Sequence, residues 1–346
     1  MEQVRVEPLD HLGVIASVIK DLGLIAMIDT RLVPDNQEMI TPGEAVAAMI
    51  LNGLGFAHRP LSVTPQFFAN KPRALWFREG IEAEMFNRCT LGRTLDEAYA
   101  YGCALLFEEL ALAICAHEGI DRHFNHLDTT SFSLTGAYVP DSDEHAMHLT
   151  HGYSKDHRPD LKQVVLELMV SQDGGIPFVS KSWDGNTSDT QVFQQRAEAL
   201  MRAFKDTPTP RSLVADAKLY CEDNATPLSQ LGFISRMPAT LKVVSQVMSQ
   251  ALQWDTWQPF DHNTRYQPLT LCHYGMAQRW GVVYSQAALE RAEATLKKAT
   301  QREHEAITKQ LFHLQAQRFC TPAAAHDALA ALAKRWKYHQ IGRAHV

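Results

Sequence analysis

The sequence lacks the features that mark an exported, disulfide-stabilised or membrane-spanning protein. Its six cysteines are scattered and form no Cys-x-x-Cys pair, which argues against a disulfide framework or a cysteine zinc site. No window approaches the roughly 18 unbroken apolar residues of a membrane-spanning helix. The first seven residues lack the basic and then apolar segments of a signal peptide. We therefore expect a cytoplasmic protein with reduced thiols and no membrane partner.

A surplus of positive charge is also absent overall, and the distribution of charge is more informative than its sum. The net charge is −6, which by itself argues weakly against nucleic-acid binding. Residues 1–120 hold 9 Lys and Arg against 16 Asp and Glu, and residues 121–250 hold 12 against 16. Residues 251–346 reverse the balance, with 12 against 7. A phosphate-facing surface should therefore draw on the last third and on local basic clusters.

The 346 residues, 45% of them hydrophobic and 21% charged, have ordinary globular composition and can fill more than one domain. Helical periodicity from residue 11 predicts an N-terminal helical domain over residues 1–120. Capping-box patterns predict helix starts at Thr41 and Thr94, the second of these helices running to about His117.

The pattern changes near residue 121, where β-branched and aromatic residues become frequent. Strands are predicted over residues 124–134, 163–171 and 176–183, the last two joined by a hairpin at Gln172-Asp-Gly-Gly175. A helix to about residue 204 and short strands at 211–215 and 233–237 follow. This mixed α/β order favours an RNase H-like core over residues 121–250, with strand four beside strand one. Residues 251–346 are predicted to hold a β-plus-helix insertion and long helices, including one over about 286–317.

Two aspartates lie at or near the ends of short apolar, β-prone runs in this arrangement. Asp128 lies in His126-Leu-Asp-Thr-Thr-Ser-Phe-Ser133, and Asp216 lies in Val214-Ala-Asp-Ala-Lys-Leu-Tyr220. If strands one and four are neighbours, the two carboxylates approach each other and repel unless a cation lies between them. Mg²⁺ is commonly held by one or two carboxylates together with water and phosphate oxygens. The alternative for each aspartate alone is a residue that ends a strand and caps a turn.

Four motifs in order make the chain resemble the DDE transposases of bacterial insertion sequences, in the IS-four-like superfamily. They are the two aspartate motifs, the segment Gly152-Tyr-Ser-Lys-Asp-His-Arg-Pro-Asp-Leu-Lys-Gln163 and the segment Gly185-Asn-Thr-Ser-Asp-Thr190. The resemblance implies that Asp128 and Asp216 are catalytic and metal-binding residues that use Mg²⁺ (or Mn²⁺). It also implies DNA partners, namely transposon ends and target DNA, and a homodimer in the active assembly.

The resemblance is incomplete at the third metal ligand of that family. This ligand is a Glu in a Tyr-x₂-Arg-x₃-Glu-x₆-Lys helix that follows the insertion, and the pattern is not found here. After Glu305 the only acid is Asp327. We expect from this that the chain is C-terminally truncated, without the catalytic helix, and that it is inactive in strand cleavage.

Three basic residues of the loop after the first strand, Lys155, Arg158 and Lys162, are candidates for DNA phosphate contacts. Such contacts position DNA without reading its sequence. A solvated loop is the alternative for them. Two other functions stay open for the whole chain, which are a non-catalytic DNA-binding or dimerising fragment and a stand-alone nuclease with an RNase H-like fold.

Overall fold

The computed structural model describes residues 7–35, 38–56, 59–138, 147–204, 212–230 and 232–342. The chain divides into two compact units, residues 1–238 and residues 239–346. The first unit contains the N-terminal helices together with a five-stranded sheet, and the second contains a three-stranded sheet and helices. The domain boundaries expected at residues 120 and 250 stay predictions.

The first unit is built from nine α-helices, four short 3₁₀ helices and five strands among the described residues. Its helices are α1 (Leu12–Asp21), α2 (Leu24–Asp29), α3 (Pro42–Gly53), α4 (Thr64–Phe68), α5 (Arg73–Trp76), α6 (Arg88–Tyr101), α7 (Cys103–His117), α8 (Asp189–Phe204) and α9 (Ala225–Gln230). Its strands are β1 (Phe124–Leu134), β2 (Lys162–Ser171), β3 (Pro177–Trp183), β4 (Ser212–Ala215) and β5 (Gly232–Ser235).

The two predicted helix starts had different outcomes. Thr41 forms the expected capping box with Glu44 at the start of α3. The prediction at Thr94 was wrong, because Thr94 lies inside α6 and its hydroxyl donates to the carbonyl of Thr90. The side chain of Asn87 caps α6 instead, and the helix ends at Gly102, whose φ of 102° favours glycine. The next helix, α7, leaves this break at an angle of 87°.

The N-terminal helices share one apolar core. Phe68 and Phe86 lie at its centre, fully buried, with ring centroids 4.6 Å apart. The exposed ring of Phe56 lies outside this core. On the α7 side, Leu106 packs with Ile28 and Leu32 in a second apolar cluster. Burial of this aromatic and aliphatic surface is the main term that stabilises the helical layer.

The five-stranded sheet confirms the RNase H-like prediction. Its strand order is β3-β2-β1-β4-β5. The first three strands form an antiparallel meander, while β4 pairs parallel to β1 and β5 pairs parallel to β4. The hairpin between β2 and β3 turns at Gly174 and Gly175, both with positive φ. This is the mixed topology expected from the order of elements along the chain.

One face of the sheet is covered by α7 and α8. Glu167 of β2 is fully buried on this face and forms an ion pair with Arg196 of α8. The same glutamate accepts a hydrogen bond from the indole of Trp183, at 2.9 Å. Glu108 of α7 lies 3.9 Å from Arg196. These contacts define what we call the helix-covered face, which also carries Thr129.

The second unit contains the three-stranded antiparallel sheet β6 (Gln258–Pro259), β7 (Thr264–His273) and β8 (Met276–Ser285). Its helices are α10 (Lys242–Ala251), α11 (Gln286–Gln315) and α12 (Pro322–Ala333). The expected long helix is therefore present as α11, most of whose surface is exposed. Among the described residues no single helix is long and apolar enough to cross a membrane; only the bent pair α6 and α7 passes that test, when both are counted together.

Candidate active site

The side chains of β1 alternate between the two faces of the sheet. Asn125, Leu127 and Thr129 are buried, whereas His126 and Asp128 are exposed. Alternation places Asp128 on the face opposite the helix-covered one, because successive side chains of a strand point to opposite sides. We call this second side the open face, for the exposure of these β1 side chains.

The parallel pairing of β1 with β4 brings the two predicted aspartates next to each other. His126 is paired with Val214, and Leu127 is paired with Ala215. Asp128 and Asp216 follow directly, and Asp216 keeps an extended backbone with φ −70° and ψ −179°. Adjacent strands lie about 4.8 Å apart. Both carboxylates therefore start from neighbouring positions on the open face, and both residues are exposed.

Backbone amides fix one oxygen of each carboxylate. The amide of Thr129 donates to Oδ1 of Asp128 at 2.7 Å, and the amide of Lys218 donates to Oδ1 of Asp216 at 2.9 Å. In the second case the hydrogen bond opens a short 3₁₀ turn at residues 217–219. Ser235 of β5 donates to the carbonyl of Asp216 and ties the same point to the next strand. The remaining carboxylate oxygens receive no hydrogen bond from another described residue.

A third carboxylate, that of Asp189, lies at the first turn of α8 and joins β1 to the turn after β4. Its Oδ1 accepts the hydroxyl of Thr129 at 2.5 Å, and its Oδ2 forms an ion pair with the ammonium group of Lys218. Burial alone would raise the pKa of Asp189, but hydrogen bonds from Lys218 and Thr129 outweigh it and lower the pKa below its ordinary value. The same ion pair raises the pKa of Lys218.

The three basic residues predicted to contact DNA are all engaged within the chain. The ammonium group of Lys155 donates to the carbonyl of Thr129, directly beside the aspartate pair. Arg158 forms a bidentate pair with Asp160, and Lys162 donates to the carbonyl of Tyr138 at 2.7 Å. Lys155 is thus brought to the candidate site, whereas Arg158 and Lys162 are held in local loop contacts.

The donor set of the open face suits a hard divalent cation. Carboxylate oxygens at neighbouring positions are the ligands that Mg²⁺ accepts, and Mg²⁺ commonly retains several waters beside one or two carboxylates. The free oxygens of Asp128 and Asp216 meet this requirement. Over the described residues, no group of three or more His, Cys, Asp or Glu side chains is arranged to hold a metal ion. Asp189 is not a third member, since both of its oxygens bond to Thr129 and Lys218.

Sequence reasoning did not assign a role to Thr129, Asp189 or Lys218. Asp189 belongs to the Gly185–Thr190 segment, whose pattern predicts a turn followed by a helix start, and this is also what the structure contains. Its partners lie 60 and 29 residues away in the chain. Only the tertiary fold brings these residues together. The sequence shows only that the positively charged side chain of Lys218 follows Asp216, a candidate metal ligand, by two residues.

Comparisons with known proteins add limited information. A family model described as a domain of unknown function, DUF4277, matches residues 4–112, which is less than a third of the chain. A comparison with curated proteins found no match.

Two transposases are among the solved structures that show some similarity. A piggyBac transposase synaptic complex with hairpin DNA has 11% identity and a TM-score of 0.37, over 78% of this chain. The chain spans 60% of the length of that protein. A Mos1 mariner paired-end complex with Mn has 10% identity and a TM-score of 0.23, over 71% of this chain and 85% of the other. Similarities this low carry no argument about function.

Proposed function

We propose that this chain is a DNA-processing protein of the DDE transposase type, with Asp128 and Asp216 as its metal-binding pair. The observation that supports the proposal is the register of β1 and β4, whose last paired residues, Leu127 and Ala215, directly precede Asp128 and Asp216. Acidic residues at this position of an RNase H-like sheet, in the four sequence motifs described above, fit metal-dependent strand cleavage and strand transfer on DNA.

In this proposal Asp128 and Asp216 hold Mg²⁺ (or Mn²⁺) through the oxygens that the backbone amides leave free. A divalent ion bound there would supply activation of a water or a 3′-hydroxyl and stabilisation of the leaving oxygen. The amides of Thr129 and Lys218 orient the carboxylates. The ammonium group of Lys155, which donates to the carbonyl of Thr129, offsets part of the repulsion between the carboxylates and a DNA phosphate.

The charge of the second unit supports a DNA partner. Residues 239–346 hold 13 Lys and Arg against 7 Asp and Glu, whereas residues 1–238 hold 20 against 32. Lys297, Lys298 and Arg302 are exposed on α11. Contacts from such residues to phosphates supply affinity that does not depend on base sequence. We therefore assign the backbone-contacting surface to the second unit.

The experiment that tests the catalytic proposal is nicking of supercoiled plasmid by the full chain with Mg²⁺ or Mn²⁺. Because the third acidic ligand of the family pattern is not found in this sequence, we expect at most residual metal-dependent nicking, which Asp128→Asn and Asp216→Asn each abolish. Asp160→Asn is the matched control, since it neutralises an exposed carboxylate whose ion pair is with Arg158 in the same loop. Nicking that persists in both Asp128→Asn and Asp216→Asn would overturn the assignment of the site.

A second candidate function is a non-catalytic DNA-binding or dimerising role. The positive charge of the second unit favours DNA binding, and binding through this charge requires no metal ion. The same assay separates the two. Salt-dependent DNA binding without nicking in any divalent cation would favour the second candidate. Nicking without strand transfer to added transposon-end or target DNA would instead favour a nuclease.

A further inference from the structure

Asp189 is the one side chain among the described residues that bonds both to the residue after Asp128 and to the turn after Asp216. Its carboxylate accepts from Thr129 through one oxygen and from Lys218 through the other. The side chain is 14% exposed, and it starts the 16-residue helix α8. Two elements that are distant in sequence, β1 and the turn after β4, are therefore joined through one carboxylate.

We propose that Asp189 is a positioning residue that holds the Lys218 ammonium group away from the Asp128–Asp216 pair, so that the pair can take a divalent cation. The expected effect on cation binding rests on the proposed function, whereas the role of Asp189 in positioning Lys218 does not. Outer carboxylates that orient ligands are a general feature of metal sites, and their loss weakens metal affinity by about ten- to a hundred-fold.

The position of Asp189 supports a positioning role over direct ligation. Thr129, to which it bonds, points to the helix-covered face, whereas Asp128 points to the open face. Both oxygens of Asp189 are occupied by protein donors. The helix α8 is fixed to the sheet by the ion pair of Arg196 with Glu167, so Asp189 extends from a rigid support.

Lys218 is the group that needs this restraint. Its amide already donates to the carboxylate of Asp216, so its side chain starts within the same turn. An ammonium group has three donors, and a half-exposed lysine without Asp189 can turn to the carboxylate of Asp216. A lysine that pairs with Asp216 competes with a cation for the same oxygens. Asp189 therefore removes an internal competitor from the site.

The first test measures Mn²⁺ binding to the full chain by electron paramagnetic resonance of the free ion. We expect Asp189→Asn to weaken Mn²⁺ binding by about ten- to a hundred-fold, as for other outer carboxylates. Because the asparagine keeps an acceptor for Thr129, the variant removes chiefly the ion pair with Lys218. Lys218→Met in the Asp189→Asn background should restore much of the lost affinity. Asp160→Asn is the control and should leave it unchanged.

The outcome of the double variant tests whether Lys218 competes with the cation. If the double variant binds Mn²⁺ as weakly as Asp189→Asn, competition by Lys218 is wrong and the inference fails. Unchanged affinity in Asp189→Asn would overturn it as well. Neither result affects the proposed metal site, which fails instead if Asp128→Asn and Asp216→Asn bind Mn²⁺ like the unmodified chain.

The second test needs no metal and follows amide hydrogen exchange of residues 216–220 in the metal-free protein. We expect faster exchange in Asp189→Asn, because the turn after β4 loses its tie to α8. Faster exchange in Asp189→Asn would support the positioning role even if Asp128→Asn bound metal like the unmodified chain. In that case the positioning role would be kept and the metal site rejected. Unaltered exchange in a folded Asp189→Asn protein would reject the positioning role.

Discussion

Arg196 of α8 donates to Glu167 of β2 in an ion pair that is almost fully withdrawn from water. The glutamate side chain is 0% exposed and the arginine side chain 13% exposed. Trp183 donates to the second oxygen of the same carboxylate. Two charges this deeply buried stabilise the fold only while both are present, because removing one leaves the other desolvated and unpaired.

We predict that Arg196→Met lowers the free energy of unfolding by about 3–5 kcal/mol, the usual cost of breaking a buried pair. Chemical denaturation measures this loss from the transition midpoint and slope. The double variant Glu167→Leu and Arg196→Met should recover much of the stability, since neither of the two deeply buried charges is left without its partner. Equal stability of the single and double variants would contradict the account of this contact.

Gly152 and Gly185 approach each other too closely for any side chain. A Cβ atom on Gly185 would lie 2.0 Å from the carbonyl oxygen of Gln163, and one on Gly152 would lie 2.0 Å from the carbonyl oxygen of Gly185. Gln163, which is 2% exposed, donates to the carbonyls of Gly185 and Tyr153. The two loops around the site are thus fastened to β2 at a single point.

Gly185→Ala should therefore lower the free energy of unfolding by about 1–3 kcal/mol or more, because backbone atoms must move to admit the methyl group. Gly92→Ala is the matched control. Nothing lies within 4 Å of a Cβ at Gly92, which is inside α6, so this variant should gain up to about 1 kcal/mol of stability. Thermal or chemical denaturation compares the two, and a neutral Gly185→Ala would show that the loops can separate.

Local patterns predicted the sheet well. The strand β1 has the predicted bounds, and β2 and β3 begin within one residue of theirs, because alternation and the Gly174–Gly175 turn define register locally. The position of β4 beside β1 followed from the order of elements. The helix start at Thr94 failed because its pattern also fits a helix interior, where the hydroxyl bonds to the preceding turn.

The candidate site was predicted only in part. Asp128 and Asp216 stand out in the sequence because each lies at or near the end of a short apolar, β-prone run, although Asp128 lies in the middle of β1 in the structure. The roles of Thr129, Asp189 and Lys218 depend on contacts between residues far apart in the chain, which no local pattern encodes. The helix α10 was not indicated either.

Glu303 of α11 anchors the segment after α12. Its carboxylate accepts the amides of Lys337 and Tyr338, at 2.6 and 2.8 Å, and contacts the ring of His339. The His339 ring also lies against His304, with centroids 5.8 Å apart. Burial would raise the pKa of Glu303, but the donated hydrogen bonds prevail and lower it from 4.5 to about 2.

Because the pKa of Glu303 is depressed by folding, its contribution is present above pH 4.5 and is lost as the pH falls toward 2. We predict that protection of the Lys337 and Tyr338 amides from hydrogen exchange decreases over this range. Glu303→Gln should lower the same protection already at neutral pH. Glu305→Gln, which alters a carboxylate that bonds to Gln301, is the control. Protection that Glu303→Gln leaves intact would contradict this anchoring.

If the second unit contacts the DNA backbone, charge reversal on α11 should weaken binding more than the same reversal in the acidic first unit. We predict that Lys297→Glu and Lys298→Glu lower affinity for duplex DNA. The slope of log affinity against log salt should also decrease by about 1 for each DNA phosphate that the variant no longer neutralises. Lys20→Glu in α1 is the matched control. Fluorescence anisotropy over a salt series measures both quantities, and equal effects of all three variants would contradict the assignment.

The central claim is that Asp128, in the middle of β1, and Asp216, directly after β4, form one cation site. Anomalous diffraction from crystals soaked in Mn²⁺ tests it most directly. We predict a peak within direct coordination distance of a carboxylate oxygen of each aspartate, which disappears in Asp216→Asn crystals. A Mn²⁺ peak that contacts neither carboxylate, or no peak at the pair under saturating Mn²⁺, would contradict the claim.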